Sequence, residues 1–436
     1  MSRTTYHPAA QHSNGSKDTS KKNILVLGAS GSVANAVLLH LIHYRELFGK
    51  IILLDQSDNL LFNPRLDHKK LRYIFVRKTL NLPAEEEDFL QLLQEHAVDI
   101  VLDLTDLESL PILAAANKMG VSYVNTAMNS NRQTTDETIY DIYPRRDRFN
   151  NAAHILSTGM NPGVVNMWVQ HGIENHGLPH EVIHFEYDNS TDRKRWKPTL
   201  SWSVYQFLLE SVIMPSAIVL GRNRTKTFFP NALKNRVDMT PILAPIANLS
   251  RYPYGLQVLH EENITIAQRY DVPSKFIYAI NMKTMDYLTK TYERKSKVDL
   301  HDMIHGDNFS TLLNGFDMIG VLLEYKNQKV YYMNTAHNLT TTGTNATCMQ
   351  VAVGIFAALF TLIFGQLPPK AYFSEELSHT VFKQYVFEHM QVEEYVFKKR
   401  GPSLALARYM PAVHVAGKEK VHAFYDHRYA KKFVVL

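Results

Sequence analysis

Cysteine is nearly absent from this 436-residue chain, which contains one, Cys348. A single cysteine excludes an intramolecular disulfide, so the chain is not a disulfide-stapled secreted scaffold. Because cytoplasmic thiols stay reduced, this cysteine usage favours a cytoplasmic protein. Cys348 lies in an apolar stretch and belongs to no metal-binding or redox motif, so we predict a small core residue there.

The chain also lacks a strong charge of one sign and a long hydrophobic run. Its formal net charge is +5 over 436 residues and its basic residues are scattered, so a nucleic-acid partner is not expected. The most apolar run, residues 351–365, is shorter than the roughly 20 residues that span a bilayer. It predicts a buried core helix and no membrane insertion. Residues 1–22 are polar and lack the apolar stretch of a signal peptide, which predicts a disordered lead-in.

What the chain does contain is an alternation of strand-like and helical stretches. Strand-like apolar runs cover residues 23–27, 51–54, 71–77, 99–104 and 122–125. With helical stretches between them, they predict an α/β domain over residues 23–160, a Rossmann-like doubly wound parallel sheet. Residues 161–365 mix strand-like and longer helical runs, which predicts a second α+β domain with a helix that returns to the first. Residues 366–436 are predicted to be a helical and mixed extension.

A glycine-containing turn, G-A-S-G-S-V-A from Gly28 to Ala34, follows the first strand and opens a helix. The spacing G-x-x-G-x-x-A is a variant of the dinucleotide fingerprint. Gly28 permits the sharp turn, Gly31 lets the backbone approach a pyrophosphate, and Ala34 lets the helix pack closely on the sheet. Asp55 ends the second strand, where a carboxylate accepts bonds from ribose hydroxyls and repels a 2′-phosphate. We therefore predict bound NAD rather than NADP.

Further cofactor contacts are predicted in the same turn and at the carboxyl ends of later strands, where ligands bind in open α/β sheets. They are Ser30, Ser32, Val33, Thr105, Asn125, Thr126, Asn161 and Pro162. Turn-forming and capping roles are the alternative for the residues at strand ends.

Three polar or aromatic features beyond the first strands are candidates for chemistry. The G-M-N-P-G turn at residues 159–163 would present the Asn161 amide to a ligand, or would merely form a turn. Trp202 and Glu210 lie eight residues apart, so a helix would place an aromatic face and a carboxylate on one side. A core tryptophan beside an exposed glutamate is the alternative. His260 could move protons near neutral pH or be a structural histidine, and no second spaced His or Cys supports a metal site.

Taken in order, these segments resemble bacterial homospermidine synthase, a relative of the saccharopine dehydrogenase group. The nucleotide fingerprint is followed by segments similar to those of the family, in the same order over roughly residues 23–365. They are G-M-N-P-G at 159–163, E-Y-D at 186–188, W-S-V at 202–204 with E at 210 and P-S-A at 215–217, L-H-E-E-N-I-T-I at 259–266, D-M-I-G-V-L-L at 317–323 and N-A-T-C-M-Q-V at 345–351. The collinear set, rather than any one motif, carries the resemblance.

The resemblance implies an NAD-dependent aminobutyl transferase that acts on the polyamine precursor putrescine and forms a homodimer. One putrescine is oxidised to an imine, a second putrescine displaces ammonia, and the new imine is reduced by the same NADH. The implied catalytic residues are Asn161, Trp202, Glu210 and His260, with the Trp202 ring beside the transient cation and His260 relaying protons. The implied diamine-binding carboxylates are Glu186, Asp188 and Asp317.

The chain departs from the family after the fifth predicted strand, where an amide, Asn129, stands at a substrate-binding position that carries a glutamate in the family. One binding charge is therefore missing. Two alternatives follow: a saccharopine dehydrogenase-type oxidoreductase, and an NAD-binding protein with weakened or no catalysis. The oxidoreductase would need a basic pocket for a carboxylate substrate, with Arg145, Arg146, Arg193, Arg195 and Arg222 as the available donors.

Overall fold

A computed structural model describes residues 21–298, 303–305, 312–341, 343–401 and 403–411. The lead-in predicted for residues 1–22 lies outside the described residues except for its last two, and Lys22 begins the first strand. The last 25 residues of the predicted extension, 412–436, also lie outside them.

Strands and helices alternate through the first part of the chain, as the hydrophobic pattern predicts. The strands are β1 Lys22–Leu27, β2 Phe48–Asp55, β3 Ile74–Arg77, β4 Ile100–Asp103, β5 Ser122–Asn125 and β6 His154–Leu156. The helices are α1 Ser32–Leu41, α2 His68–Leu71, α3 Glu86–Glu95, α4 Ser109–Lys118, α5 Thr135–Ile142 and α6 Val164–His176. The helix that the glycine turn opens, α1, ends at Leu41 and is followed by a 3₁₀ turn over Ile42–Leu47.

The second part of the chain mixes short and long strands with helices. The strands are β7 Glu181–Asp188, β8 Thr191–Asp192, β9 Thr199–Leu200, β10 Ser216–Gly221, β11 Arg224–Phe229, β12 Arg236–Asp238, β13 Tyr254–Val258, β14 Ser274–Ile280, β15 Ile304–His305, β16 Leu313–Asn314, β17 Phe316–Glu324, β18 Gln328–His337, β19 Ala371–Phe373, β20 Glu393–Arg400 and β21 Ser403–Met410. The helices are α7 Val204–Leu208, α8 Thr240–Leu243, α9 Glu261–Tyr270, α10 Met282–Lys295, α11 Ala346–Phe364 and α12 Val381–His389.

Two large sheets organise the described residues. The first has seven parallel strands in the order β19-β6-β5-β4-β1-β2-β3, which is the predicted Rossmann-like α/β arrangement. The second is mixed, with the main order β11-β10-β14-β7-β17-β18-β20-β21 and a parallel pairing of β14 with β7. The region after residue 366 is divided between them, because β19 extends the first sheet while β20 and β21 extend the second.

The apolar run forms α11, which begins at Ala346 and is therefore longer than the predicted run. Among the described residues it is the one helix long and apolar enough to cross a membrane, and 78% of that stretch is buried inside the protein. It packs against α1 and α12, and Cys348 is fully buried in its first turn. α11 is therefore a mostly buried helix that contacts α1 of the first sheet region.

Candidate active site

The turn after β1 has the backbone that the fingerprint requires. Gly28 has φ +73°, and a Cβ there would lie 2.7 Å from the carbonyl oxygen of Leu104. Gly31 is the N-cap of α1, whose first-turn N–H groups point out of the helix end. The Ser30 N–H donates to Asp55 Oδ2 at 2.9 Å, and the Ser57 N–H donates to Oδ1 at 2.8 Å. The carboxylate of Asp55 is thus held beside the glycine turn, where a nucleotide ribose would lie.

The polar residues at the ends of β4 and β5 divide between structural and site-lining positions. Thr105 and Thr126 line the cavity described below. Asn125 lies behind it, because its Oδ1 accepts the Ser157 N–H at 2.8 Å and its Nδ2 donates to the Ala127 carbonyl at 2.5 Å. Asn125 therefore has the turn-forming role that is the alternative for this residue: it holds the loop after β5 and does not line the cavity where a cofactor would be contacted.

The G-M-N-P-G turn after β6 is fixed by close backbone packing. Gly163 has φ +128°, and a Cβ there would come within 2.4 Å of the Gly159 carbonyl oxygen. Gly354 of α11 lies against the same turn, where a Cβ would be 2.2 Å from the Thr158 carbonyl oxygen. The absence of side chains at these glycines lets α11 pack directly against the turn. Asn161, at the tip of the turn, donates from Nδ2 to Glu186 Oε2 at 2.5 Å.

A cavity of about 700 Å³ opens between the glycine turn, the ends of β4–β6 and the second domain. The predicted cofactor residues among its lining are Gly31, Ser32, Val33, Thr105, Thr126 and Pro162. The predicted catalytic and substrate residues among its lining are Asn129, Asn161, Glu186, Trp202, Glu210 and His260. Residues from segments far apart in the chain are thus brought to one space. Gly28, Ser30, Asp55, Asn125, Asp188 and Asp317 do not line it.

Trp202 and Glu210 share this cavity although one regular helix does not join them. Trp202 precedes α7, which begins after the capping residue Ser203, and Glu210 lies in a single π-helical turn over Leu209–Ile213. The Trp202 indole N–H donates to the Tyr278 hydroxyl at 2.8 Å, which fixes the ring. The predicted eight-residue helical spacing is therefore wrong in detail, because the cap and the π turn replace it, while both side chains still face the same space.

His260 lies between two carboxylates at the N-terminus of α9. Its Nε2 is 3.4 Å from Glu210 Oε1, and its Nδ1 pairs with Glu262. Burial alone would lower the pKa of His260, but the charges of Glu262 and Glu210 outweigh burial and hold this pKa well above its usual value. Burial likewise would raise the pKa of Glu262, and the charge of His260 keeps it below its usual value. The imidazole is therefore charged. His260 lines the cavity, and its Nε2 atom is directed toward Glu210, which also lines the cavity.

Glu186, Asp188 and Asp317 form a buried acidic group at the back of the cavity. Burial raises the pKa of Glu186 well above its ordinary value, and the neighbouring carboxyl groups of Asp317 and Asp188 act in the same direction. Of the three, Glu186 lines the cavity, whereas Asp188 and Asp317 lie behind it. Asp188 is hydrogen-bonded to the Ser201 hydroxyl at 2.6 Å and Asp317 to the Thr347 hydroxyl at 2.6 Å. The latter two therefore do not contact the cavity directly.

Two residues that the sequence did not assign to the site also line the cavity. Glu261 begins α9 and is buried, with its carboxylate joined to the loops after β5 and β6. Tyr278 lies opposite Glu186 in the parallel pairing of β14 with β7 and holds Trp202. The orientation of both residues depends on contacts with distant segments: Glu261 contacts Met128 and Ser157, and Tyr278 holds Trp202.

The Asn129 side chain is neutral and engaged. Its Nδ2 donates to the Thr105 carbonyl at 3.1 Å, and its Oδ1 accepts from Gln206 Nε2 at 3.4 Å. It lines the cavity without supplying a charge, as the sequence indicates.

The arginines considered for a carboxylate substrate lie outside the cavity lining. Arg145 pairs with Asp141, and Arg146 pairs with Glu376 at 3.1 Å. The Arg193 and Arg222 side chains donate to main-chain carbonyls, and Arg195 lies in an exposed turn. In the part of the chain that the structure describes, no group of three or more His, Cys, Asp or Glu side chains is arranged to hold a metal ion.

The first domain matches a known sequence family. Residues 24–154 match the saccharopine dehydrogenase NADP binding domain. A search of curated proteins gives no match to the chain. The matched segment contains the glycine turn, Asp55 and strands β1–β5, so sequence and geometry agree that it is an NAD(P)-binding domain.

Two solved structures share the fold over most of the chain. The NAD complex of homospermidine synthase from Legionella pneumophila is 16% identical, with 93% of this chain and 98% of that chain covered and a TM-score of 0.68. Apo saccharopine dehydrogenase (L-Glu forming) from Saccharomyces cerevisiae is 10% identical, with 84% of this chain and 96% of that chain covered and a TM-score of 0.53. The chain is thus similar to saccharopine dehydrogenase-like NAD(P)-binding proteins in fold, with a Rossmann-like domain joined to a second, mixed-sheet domain.

Proposed function

We propose that this protein is an NAD-dependent enzyme that carries out homospermidine synthase-like aminobutyl transfer on putrescine. The observation that carries the proposal is the charge of the cavity. Its acidic lining residues are Asp106, Glu137, Glu186, Glu210 and Glu261, against Arg132 and His260 as the basic ones. A diamine carries two positive charges, and a cavity that is rich in carboxylates compensates them.

The same observation disfavours a carboxylate substrate. Saccharopine-type chemistry joins an amine to a carbonyl compound and needs basic groups that hold a carboxylate. Arg132 lines the cavity, but its side chain is 82% exposed and lies 3.7 Å from Glu108. Because the other candidate arginines lie elsewhere, an amine fits the described lining better than a keto acid.

The nucleotide end of the cavity fits NAD. Gly31 and the first residues of α1 line the cavity, and the N-terminus of this helix would supply N–H donors to a pyrophosphate. Asp55 supplies a carboxylate for the ribose hydroxyls and disfavours a 2′-phosphate. When bound, NAD supplies a hydride acceptor for the amine-bearing carbon and a hydride donor for the final imine.

The side chains around the cavity suit the charges of this reaction. The Trp202 ring, fixed by Tyr278, offers a π face to a cationic imine. Glu186 and Glu210 balance the substrate ammonium groups, and Asn161 is held by Glu186 at the tip of its turn. The distant NAD-bound relative, a homospermidine synthase, supports the same assignment through its shared fold.

His260 is placed to handle protons. The amine must lose a proton before its carbon can be oxidised, and the departing nitrogen must gain one to leave as ammonia. Once the second amine has attacked the imine, His260 in its charged form donates a proton to the departing nitrogen, which leaves as ammonia, and the neutral ring takes a proton from the incoming nitrogen and is charged again. Glu262 and Glu210 orient the ring and favour its charged form.

Incubation of the purified protein with putrescine and a catalytic amount of NAD tests this function. We expect homospermidine and ammonia in equal amounts, without a net change in NADH absorbance. Net NADH oxidation with a keto acid and an amine would instead identify a saccharopine-type reductase. Binding of NAD without turnover of any diamine would identify a non-catalytic NAD-binding protein.

A further inference from the structure

Glu261 occupies an unusual position for a charged side chain. It is 5% exposed and begins α9 of the second domain, yet both of its oxygens contact the first domain. Oε1 accepts the Met128 N–H at 2.7 Å, and Oε2 lies 2.5 Å from the Ser157 hydroxyl. Met128 follows β5 and Ser157 follows β6, at the sheet edge where ligands bind. Glu261 is also a lining residue of the cavity.

The loop that Glu261 contacts carries no carboxylate on the cavity side. Its residues from Thr126 to Thr134 line the cavity, the one charged residue among them is the basic Arg132, and the Asn129 amide is bonded to Thr105 and Gln206. Glu261 is bonded to the residue directly before Asn129. Glu261, at the start of α9, therefore places beside this loop a carboxyl group that the loop itself lacks.

We propose that Glu261 is an amine-binding carboxylate that supplies, at the loop after β5, the negative charge that Asn129 does not provide. This assignment rests on the proposed function, since it gives Glu261 an ammonium group of the diamine as its ligand. It extends the site beyond Glu186 and Glu210 and divides the carboxylates between the two domains.

The electrostatics of Glu261 suit a group that responds to a cation. Burial raises its pKa to about 7, while the Ser157 hydroxyl and the charged His260 act in the opposite direction and Glu262 adds repulsion. Near neutral pH, the empty site therefore holds a mixture of the neutral and charged forms. An ammonium group nearby favours the carboxylate, so its arrival releases a proton.

A purely structural role is the competing account, because Glu261 links the two domains. The variant Glu261→Gln separates the two accounts. It keeps the size of the side chain and a carbonyl oxygen for the Met128 N–H, and it removes the charge. Glu375→Gln is a matched control, because Glu375 is also buried, has a pKa of about 7 and lies outside the cavity lining.

Calorimetric titration of putrescine into the NADH-bound protein at pH 7, in two buffers of different ionisation enthalpy, tests the proposal. NADH cannot oxidise the amine, so binding is measured alone. For Glu261→Gln we expect at least about tenfold weaker putrescine binding, about half a proton less released per site, and unchanged NADH affinity. Glu375→Gln should bind putrescine as the wild type does.

Wild-type putrescine affinity and proton release in Glu261→Gln would overturn the assignment, because the hydrogen bonds rather than the charge would then explain the residue. Failure of the wild-type protein itself to bind putrescine would be a different result. It would overturn the proposed function, and this assignment with it.

Discussion

Asp188 and Asp317 lie directly opposite each other in the antiparallel pairing of β7 with β17. Hydroxyls link them: Asp317 to Thr347 at 2.6 Å, Thr347 to Ser201 at 2.7 Å, and Ser201 to Asp188 at 2.6 Å. Three hydrogen bonds need three protons and the two hydroxyls supply two, so one carboxyl group must be protonated. Burial and the charge of Asp188 raise the pKa of Asp317 well above its usual value. Asp188 also accepts the Ser190 N–H, so Asp317 is the neutral partner.

The two aspartates should therefore respond differently to the same substitution. Asp317→Asn keeps a donor toward Thr347 and should change the free energy of unfolding at pH 7 by less than about 1 kcal/mol. Asp188→Asn removes the charge that the Ser190 N–H and the Ser201 hydroxyl stabilise, and it should lower the free energy of unfolding by about 2 kcal/mol. Urea denaturation of both variants measures the difference. The reverse order would place the proton on Asp188.

Substitution of Trp202 should separate turnover from cofactor binding. In Trp202→Ala the π face beside the transient cation is lost, and turnover should fall about tenfold or more while NAD affinity changes little. Trp202→Phe keeps an aromatic face and loses only the bond to Tyr278, so it should retain more activity. Steady-state kinetics and NAD titration compare the two. Near wild-type turnover in Trp202→Ala would remove the ring from the reaction.

Asp55 should set the choice between NAD and NADP. Asp55→Ala should relax the preference for NAD, because the carboxylate no longer repels a 2′-phosphate. Asp55→Asn is the closer control, since it keeps an acceptor for the Ser30 N–H or the Ser57 N–H and removes only the charge. Fluorescence titration with both nucleotides measures the ratio of affinities. An unchanged ratio in both variants would exclude Asp55 from cofactor selection.

Glu375 should make the protein less stable as the pH rises. Burial and the charge of Glu376 raise its pKa from 4.5 to about 7. The folded state therefore binds this proton more tightly than the unfolded state, and the stabilisation is lost between about pH 4.5 and pH 7. Glu375→Gln should remove that loss. The difference in the free energy of unfolding between this variant and the wild type should therefore increase by about 3 kcal/mol, in favour of the variant, from pH 5 to pH 8.

The neighbouring Glu376 provides the control of opposite sign. The charge of Arg146 outweighs burial and lowers the pKa of Glu376, so Glu376→Gln should destabilise the protein at neutral pH. Chemical denaturation of both variants at pH 5 and pH 8 distinguishes the two cases. A pH-independent effect of Glu375→Gln would mean that this carboxyl group does not titrate as described.

The first domain could be predicted from sequence because its signals are local. Strand runs, helical periodicity and the glycine spacing each act over a few residues, and they specify the parallel sheet and the place of the nucleotide. Even here, the membership of β19 in that sheet could not be predicted, since a three-residue strand from the end of the chain carries no pattern of its own.

The second half of the site depends on long-range pairing. Residues around 264–266 alternate as a strand would, yet they lie in α9, because His260 caps a helix that packs against the first domain. Two glutamates after a histidine are typical of an exposed helix start. The loops after β5 and β6 bury Glu261 instead, and nothing in the local sequence signals that contact.

Putrescine deuterated at both amine-bearing carbons tests the central claim most directly, because the account requires the hydride taken from the substrate to return to the product. The labelled substrate is incubated with the enzyme, NAD and an excess of unlabelled NADH, and homospermidine is analysed by mass spectrometry. Recycling of one bound cofactor predicts a product that retains every deuterium atom. A product that lacks one deuterium, or no homospermidine at all, would contradict the account.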